Sequence, residues 1–283
     1  MRIVTYQSAV TAAADPASRS IEVIAATLEA HTGQRIAHNR MWRVETSLKP
    51  LLRRHGLCSL DALANRLAEG RDAALTGQVI DALLNQETSF FRDGAVLEEA
   101  VDAVLAMDFG MVRRRPRIWS AGCSTGQEPL SLAILLSERL SQKSGVFPEI
   151  HATDVSGSAI ARAQAGRYSQ FEIQRGMPIR RMISWFDGNG DVWSARPDLT
   201  RRIAYRRSNL LDTSIAAGQF DLILCRNVLF YFSGAIRARA LAQIAEALRP
   251  GGLLVLGAGE TVIGQTDLLR PSAKHRGFYE RAD

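Results

Sequence analysis

The stretch Arg117–Leu136, RIWSAGCSTGQEPLSLAILL, decides the fold. A short apolar strand (Ile118, Trp119) breaks into the small-residue turn Ala121-Gly122-Cys123-Ser124-Thr125-Gly126. Beyond Pro129 apolar residues return at helical spacing, at Leu130, Ala133, Ile134 and Leu136. Strand, glycine turn and helix form the unit that lays a nucleotide-like ligand over the C-terminal edge of a parallel sheet. Glycine lets backbone approach that ligand with no Cβ in the way. A phosphate-binding P-loop would end in Gly-Lys-Ser/Thr, whereas Gln127-Glu128 follows the glycine here. A dinucleotide fingerprint would be GxGxxG, whereas Gly122 to Gly126 is GxxxG. Glu128 at the helix start would repel a pyrophosphate. It suits a cationic or hydroxyl-bearing ligand, and S-adenosylmethionine carries a sulfonium, an ammonium and a ribose diol. A tight βα turn with no ligand fits the same residues.

At 283 residues the chain has room for one large domain or two modest ones. No uncharged apolar run approaches the length of a membrane span. No signal-peptide core follows Met1-Arg2-Ile3-Val4, so a cytoplasmic location is expected. The three cysteines, Cys58, Cys123 and Cys225, are far apart with no CxxC pair, which argues against disulfides and against a metal. A net charge of +6 favours an acidic partner. On charge alone nucleic acid, anionic lipid and acidic protein all stay open.

Residues 1–15 read as a frayed leader. A helix is expected from Asp15-Pro16, with Ile21, Ile24 and Leu28 on one face and Gly33 as its stop. A second covers Asn39–His55 and should be kinked or split by Pro50. It carries Arg40, Arg43, Lys49, Arg53 and Arg54 against Glu45, which composition alone makes a solvated basic face. A third starts at the N-cap Ser59, and a fourth lies near Thr76–Leu84. The polar-flanked pair Phe90-Phe91 does not fit a helix face, since neighbours point about 100° apart. It reads as an elbow with both rings plugging the core. Helix follows over Ala95–Leu105, and the basic run Arg113–Arg117 reads as a solvated linker into the first strand.

After the glycine turn the pattern is βα. Glu149–Thr153 is a strand ending at Asp154, where an acid would hold a ribose diol, though a cap or turn is the blander reading. Ser156 caps the helix Ala159–Ala165. Residues 166–207 break the rhythm: Asp187-Gly188-Asn189-Gly190 has the chemistry of a hairpin, and Ile203-Ala204-Tyr205 returns as a strand. The sheet resumes with Phe220–Cys225, ending on Arg226-Asn227. A helix over Ala235–Leu248 stops at Pro250-Gly251-Gly252, Leu253–Leu256 is a strand, and Gly277–Glu280 closes an edge.

Four segments with Asp154 among them carry a resemblance: ETSFFRD (Glu87–Asp93), GCSTGQEP (Gly122–Pro129), FDLILCRNVLFYF (Phe220–Phe232) and LRPGGLLVLG (Leu248–Gly257). Together, and in this order, they resemble the CheR family, the chemotaxis receptor glutamate methyltransferases. The likeness runs from about residue 16 to the end. It implies an all-α N-terminal receptor-recognition domain over 16–85. It also implies an α/β, Rossmann-like S-adenosylmethionine-dependent methyltransferase domain over 86–283, with a small antiparallel β-subdomain inserted at about 170–207. The implied partner is the cytoplasmic helical bundle of membrane chemoreceptors. No nucleic-acid partner and no direct membrane insertion are implied, and the protein is expected to be a monomer.

By the same resemblance Thr88 and Arg92 touch the cofactor's amino-acid end or the substrate carboxylate, and Gln86, standing where the family has Asn with Asn85 next to it, belongs to the cofactor site. Gly122 belongs to the cofactor turn. Glu128 holds the ammonium or another polar group near the turn, and Asp154 holds the ribose. Asn209 and Leu210 flank the adenine, Arg226 and Asn227 line the methionine end, and Tyr231 sits beside the transferred methyl. The basic residues Arg40, Arg43, Arg53 and Arg54 gain a reason as the surface that meets an acidic receptor. Pro50 is unexpected there.

The implied reaction is in-line transfer of a methyl group to a receptor glutamate, giving a methyl ester and S-adenosylhomocysteine. A glutamate with a pKa of about 4.3 is already ionised at neutral pH, so no general base is needed. Arg92 and Tyr231 are expected to steer the carboxylate oxygen. Two rivals are a same-fold methyltransferase acting on another substrate and a cofactor-binding scaffold that signals without catalysis.

Overall fold

The computed structural model describes residues 16–107, 114–141, 145–212 and 218–282. The leader 1–15 and Arg113 therefore lie outside the described residues. The chain divides into two compact units, one of Met1–His31 with Ile36–Leu83 and the other of Thr32–Arg35 with Leu84–Asp283. The short segment Thr32–Arg35, left with the helical domain by the sequence reading, belongs to the second unit.

The first unit is helical: α1 (Pro16–Thr32), α2 (Trp42–Arg54), α3 (Leu60–Ala68) and α4 (Ala73–Leu83). Ile24, Val44, Leu48, Leu51, Leu63, Leu67, Leu75 and Val79 share its core. Ser59 caps α3 as expected, its hydroxyl accepting from the Ala62 amide at 3.2 Å. Pro50 does not split α2, which runs unbroken to Arg54. Pro50 is exposed, so the backbone carbonyl it deprives of a partner lies on the side where water can serve. The helix begins later than the sequence suggests, because His38–Arg40 form a separate 3-10 turn.

The second unit opens with α5 (Gly94–Leu105) and alternates β1 (Arg117–Ala121), α6 (Gln127–Ser141), β2 (Glu149–Asp154) and α7 (Gly157–Ala165). An excursion follows: β3 (Arg167–Ser169), α8 (Gln170–Gln174), α9 (Ile179–Trp185), β4 (Phe186–Asn189), β5 (Val192–Ala195) and α10 (Pro197–Thr200). Then come β6 (Ile203–Arg207), β7 (Phe220–Cys225), α11 (Gly234–Ala247), β8 (Leu248–Leu256), β9 (Leu269–Pro271) and β10 (Phe278–Arg281). Among the described residues, one seven-stranded sheet runs β6-β2-β1-β7-β8-β10-β9 and a separate three-stranded sheet runs β3-β5-β4. The strands β6, β2, β1, β7 and β8 pair in parallel, and β10 is antiparallel to both its neighbours. The small sheet is the antiparallel insertion, and β6 returns from it to pair with β2.

Three sequence expectations need correction. Gly277–Glu280 is not an edge, since β10 lies between β8 and β9. The edge is the short β9, ending in Pro271, a residue tolerated where no further strand follows. The strand β8 begins directly at Leu248 and includes Pro250-Gly251-Gly252, with a register shift between Phe220 and Leu222 absorbing the irregularity. The basic run is not a solvated linker either. Arg114 grips the buried Asp221 through two nitrogens, at 2.5 and 2.7 Å, and the Arg117 amide donates to Asp221 at 2.8 Å. The Arg117 side chain pairs with Glu149 at 3.2 Å.

The site is positioned by the sheet's topology. From β1 the chain moves through β2 to β6 on one side, then crosses back to β7 on the other, so the carboxyl ends of β1, β2 and β7 open onto a switch-point crevice. The segment preceding α5 is anchored beside it. Phe90 is fully buried and packs edge-on against Tyr168 and Phe186, with centroids 5.0 and 5.5 Å away. Phe91 plugs less deeply, half-buried with the Arg181 guanidinium 4.5 Å from its ring centroid.

Burial pushes the Asp221 carboxyl up, but Arg114, the Arg117 amide and Arg249 outweigh it and hold the group below its ordinary value. A depressed carboxylate stabilises the fold above its unfolded pKa of about 3.9, and that contribution is lost as pH falls through the lower folded value. Asp221→Asn is therefore expected to destabilise the protein at pH 7 in urea unfolding, with the deficit shrinking as pH falls below about 4. A deficit independent of pH would show that the charge is not what Asp221 contributes.

Candidate functional site

The turn after β1 is fastened to the end of β2. The amides of Gly122 and Cys123 both donate to the Thr153 carbonyl, at 2.8 and 2.9 Å. Ser124, at φ 50°, donates its amide to Asp154 Oδ2 at 2.8 Å, and the Ser156 amide donates to Oδ1 at 2.9 Å. Asp154 is thus both a turn-former and an oriented carboxylate, and a carboxylate offers about four lone-pair sites in all. Gly122 has φ +76°, and a Cβ there would lie 2.5 Å from Val228 Cγ2. The glycine is required by backbone conformation and by the close approach of the loop after β7.

That loop has a concealed organiser. The Glu260 carboxylate accepts from the amides of Asn227 (2.8 Å), Leu229 (2.7 Å) and Gly257 (2.9 Å). Asn227 itself is left-handed, at φ 62°. Glu260 carried no signal in the sequence, because its partners are backbone groups and two of them, the Asn227 and Leu229 amides, lie about thirty positions away. A carboxylate that gathers three amides forms charge-assisted bonds, stronger than neutral ones.

Arg226 directly follows β7 and its side chain is only 2% exposed. Its guanidinium donates to Glu128 Oε2 at 3.1 Å, to the Arg92 carbonyl at 2.8 Å and to Asp93 Oδ2 at 2.5 Å. Glu128 also accepts from Ser120 Oγ at 2.7 Å. Arg226 Nε and Asn227 Oδ1 remain buried without a protein partner. The electrostatic character of the turn shows in Cys123, whose thiol is pushed well up by burial first and then by the negative charges of Asp154 and Glu128.

A single cleft, with about 970 Å³ of open space, takes its walls from these elements. Gln86, Thr88, Arg92, Gly122, Glu128, Asp154, Asn209, Leu210, Arg226, Asn227 and Tyr231 all line it. Asn209 and Leu210 lie in the turn after β6, where Asn209 Oδ1 accepts from the Leu211 amide at 3.0 Å. The amides of Asn85 and Gln86 take different partners: Asn85 Nδ2 donates to the Tyr231 hydroxyl, while Gln86 Nε2 donates to Ser156 Oγ at 3.1 Å. Arg92 pairs locally with Glu87, at 3.6 Å. The four basic residues of the recognition hypothesis do not line this cleft. Arg40, in the 3-10 turn, and Arg43, Arg53 and Arg54, on α2, are exposed residues of the helical unit. Among the described residues, no helix is long and apolar enough to cross a membrane.

The family model described as "CheR methyltransferase, SAM binding domain" matches residues 86–278. The "Chemotaxis protein methyltransferase" of Vibrio parahaemolyticus is 35% identical over 243 residues, covering 85% of this chain and 88% of that protein. The "Chemotaxis protein methyltransferase 1" of Pseudomonas aeruginosa is 38% identical over 255 residues, covering 87% and 91% respectively.

Glu260→Gln keeps size and loses charge. It is expected to weaken S-adenosylhomocysteine binding about tenfold by calorimetry, equivalent to about 1.4 kcal/mol spread over its amide bonds. Unchanged affinity would mean that the loop holds its shape without the carboxylate.

Proposed function

The chain belongs to the CheR methyltransferase family, and from that premise we propose that it methylates glutamate side-chain carboxylates of chemoreceptors, with S-adenosylmethionine as the donor. The observation that carries this reading is the convergence on one cleft of Asp154 from the end of β2, Glu128 from the first turn of α6 and Tyr231 from the 3-10 turn that follows β7. The donor set fits the cofactor. Two carboxylates flanking the turn, Asp154 and Glu128, favour a cationic ligand.

Each site residue takes a role in this reading. Asp154, oriented by two backbone amides, accepts from the ribose diol. Asn209 and Leu210 flank the adenine. Glu128, Arg226 and Asn227 form the polar end that receives the amino-acid portion, with Gln86 and Thr88 on the same wall. When bound, S-adenosylmethionine supplies a sulfonium methyl to which a carboxylate oxygen can bond as the S–C bond breaks, leaving the methyl ester and S-adenosylhomocysteine. A substrate glutamate is already ionised at neutral pH, so the protein's contribution is alignment, worth roughly 7–11 kcal/mol in favourable systems. Tyr231, its hydroxyl fixed by Asn85, and Arg92 orient the incoming carboxylate. Arg40, Arg43, Arg53 and Arg54 offer an exposed cationic surface for an acidic helical receptor region, where complementary charge raises encounter rate and sets specificity.

The test is transfer of label from S-adenosylmethionine to membranes carrying chemoreceptors, scored as base-labile methanol. Base-labile label on the receptor is expected. Reversing Arg53 and Arg54 to glutamate should raise receptor KM about tenfold while cofactor affinity stays constant. Cofactor binding without base-labile label would remove the glutamate assignment, and an unchanged KM would return the basic face to solvent.

A further inference from the structure

Glu87 stands between two arginines at the mouth of the cleft. Its carboxylate pairs with the guanidinium of Arg175 and, at 3.6 Å, with that of Arg92. We propose that Arg92 and Arg175 together form the receiving site for the substrate carboxylate, and that Glu87 is a resident placeholder which the substrate glutamate displaces. The proposal rests on the carboxyl-methylation reading above and adds Arg175 and Glu87 to it.

Placement comes first. Glu87 lines both the main cleft and a second, shallower one, whose wall includes Arg175, Arg162, Glu172 and Phe171. A carboxylate approaching over that shallow cleft therefore meets Glu87 and its two guanidinium partners at the entrance. Arg162 is already committed to Glu172 at 2.7 Å, and Arg226 is buried within its own network. Arg92 and Arg175 are the cations that share an exchangeable partner there.

Energetics comes second. The three side chains are 35% (Arg92), 47% (Arg175) and 42% (Glu87) exposed, so water screens their pairing. Exposed pairs of this kind are weak, so a chemically identical carboxylate can replace Glu87 at little cost. Weak retention also suits the chemistry. A guanidinium that held the nucleophile tightly would stabilise the ground state and raise the barrier. A site already satisfied by Glu87 gives orientation with little net stabilisation.

Rigidity comes third. The Arg175 carbonyl accepts from the Phe90 amide at 3.2 Å. The next residue, Gly176, has φ +90°, and a Cβ on it would lie 2.0 Å from the Phe90 carbonyl oxygen. Only glycine allows this approach, so the backbone of Arg175 is pinned against the segment that carries Glu87 and Arg92.

The test compares Glu87→Gln and Arg175→Ala with the parent protein, using a soluble cytoplasmic fragment of a chemoreceptor. Receptor KM in methyl transfer and the Kd of the fragment measured by direct titration are both read, and S-adenosylhomocysteine titration establishes that each variant is folded. Glu87→Gln vacates the site and is expected to lower KM and Kd about threefold, whereas Arg175→Ala is expected to raise both about threefold, the scale of one exposed pair. A purely structural triad would move both variants in the same direction. Unchanged or raised values in Glu87→Gln, or unchanged values in Arg175→Ala, overturn the proposal while leaving carboxyl methylation standing. If the parent protein places no base-labile label on the fragment, the methylation reading falls and this proposal falls with it.

Discussion

The buried guanidinium of Arg226 is the constraint on which the site depends. It ties the end of β7 to the first turn of α6 through Glu128, and to the segment before α5 through Asp93 and the Arg92 carbonyl. Burying a charge costs several kcal/mol unless partners satisfy it, so these three connections stand or fall together. Removing one partner from such a group typically costs about 3–5 kcal/mol, because the remaining charge is left uncompensated. The backbone records the same demand. Phe91 and Asp93 both adopt left-handed conformations, at φ 48° and 50°, in the short segment that delivers the Arg92 carbonyl and the Asp93 carboxylate to Arg226.

Around that fixed point the polar groups divide their work by depth. Asp154 and Glu128 set a negative potential at the turn, felt by the Cys123 thiol. Glu260 gathers amides behind the loop that carries Asn227 and Tyr231. Nearer the mouth, Glu87, Arg92 and Arg175 are solvated and exchangeable. Buried, paired charges fix the shape of the cleft, whereas exposed ones are screened by water.

Much of this was legible in the chain because it is local. A strand followed by Gly122–Gly126 and an apolar helical run specifies the βα turn, and Ser59 and Ser156 announce helix starts by residue type alone. The resemblance to a known family then named the residues that line the cleft. What escaped notice was long-range. Glu260 serves amides some thirty residues away, Arg226 meets Glu128 across 98 positions, and Arg114 finds Asp221 across 107. Spacing along the chain carries no trace of such pairings, which is why a basic run with buried acidic partners looked like a linker. Pro50 misled for another reason. A proline breaks a helix when its lost hydrogen bond falls in the core, and on the exposed side of α2 water can supply the missing partner.

On the proposed reading, Glu128 meets the cofactor as part of the Arg226 network and not as an independent ligand. A double-mutant cycle of Arg226→Met and Glu128→Gln, read as S-adenosylhomocysteine affinity by calorimetry, measures that coupling directly. Strong non-additivity is predicted, with the double variant recovering about tenfold or more of the affinity that the summed single losses would remove, about 1.4 kcal/mol of coupling. Additive losses would contradict it and make Glu128 a ligand in its own right.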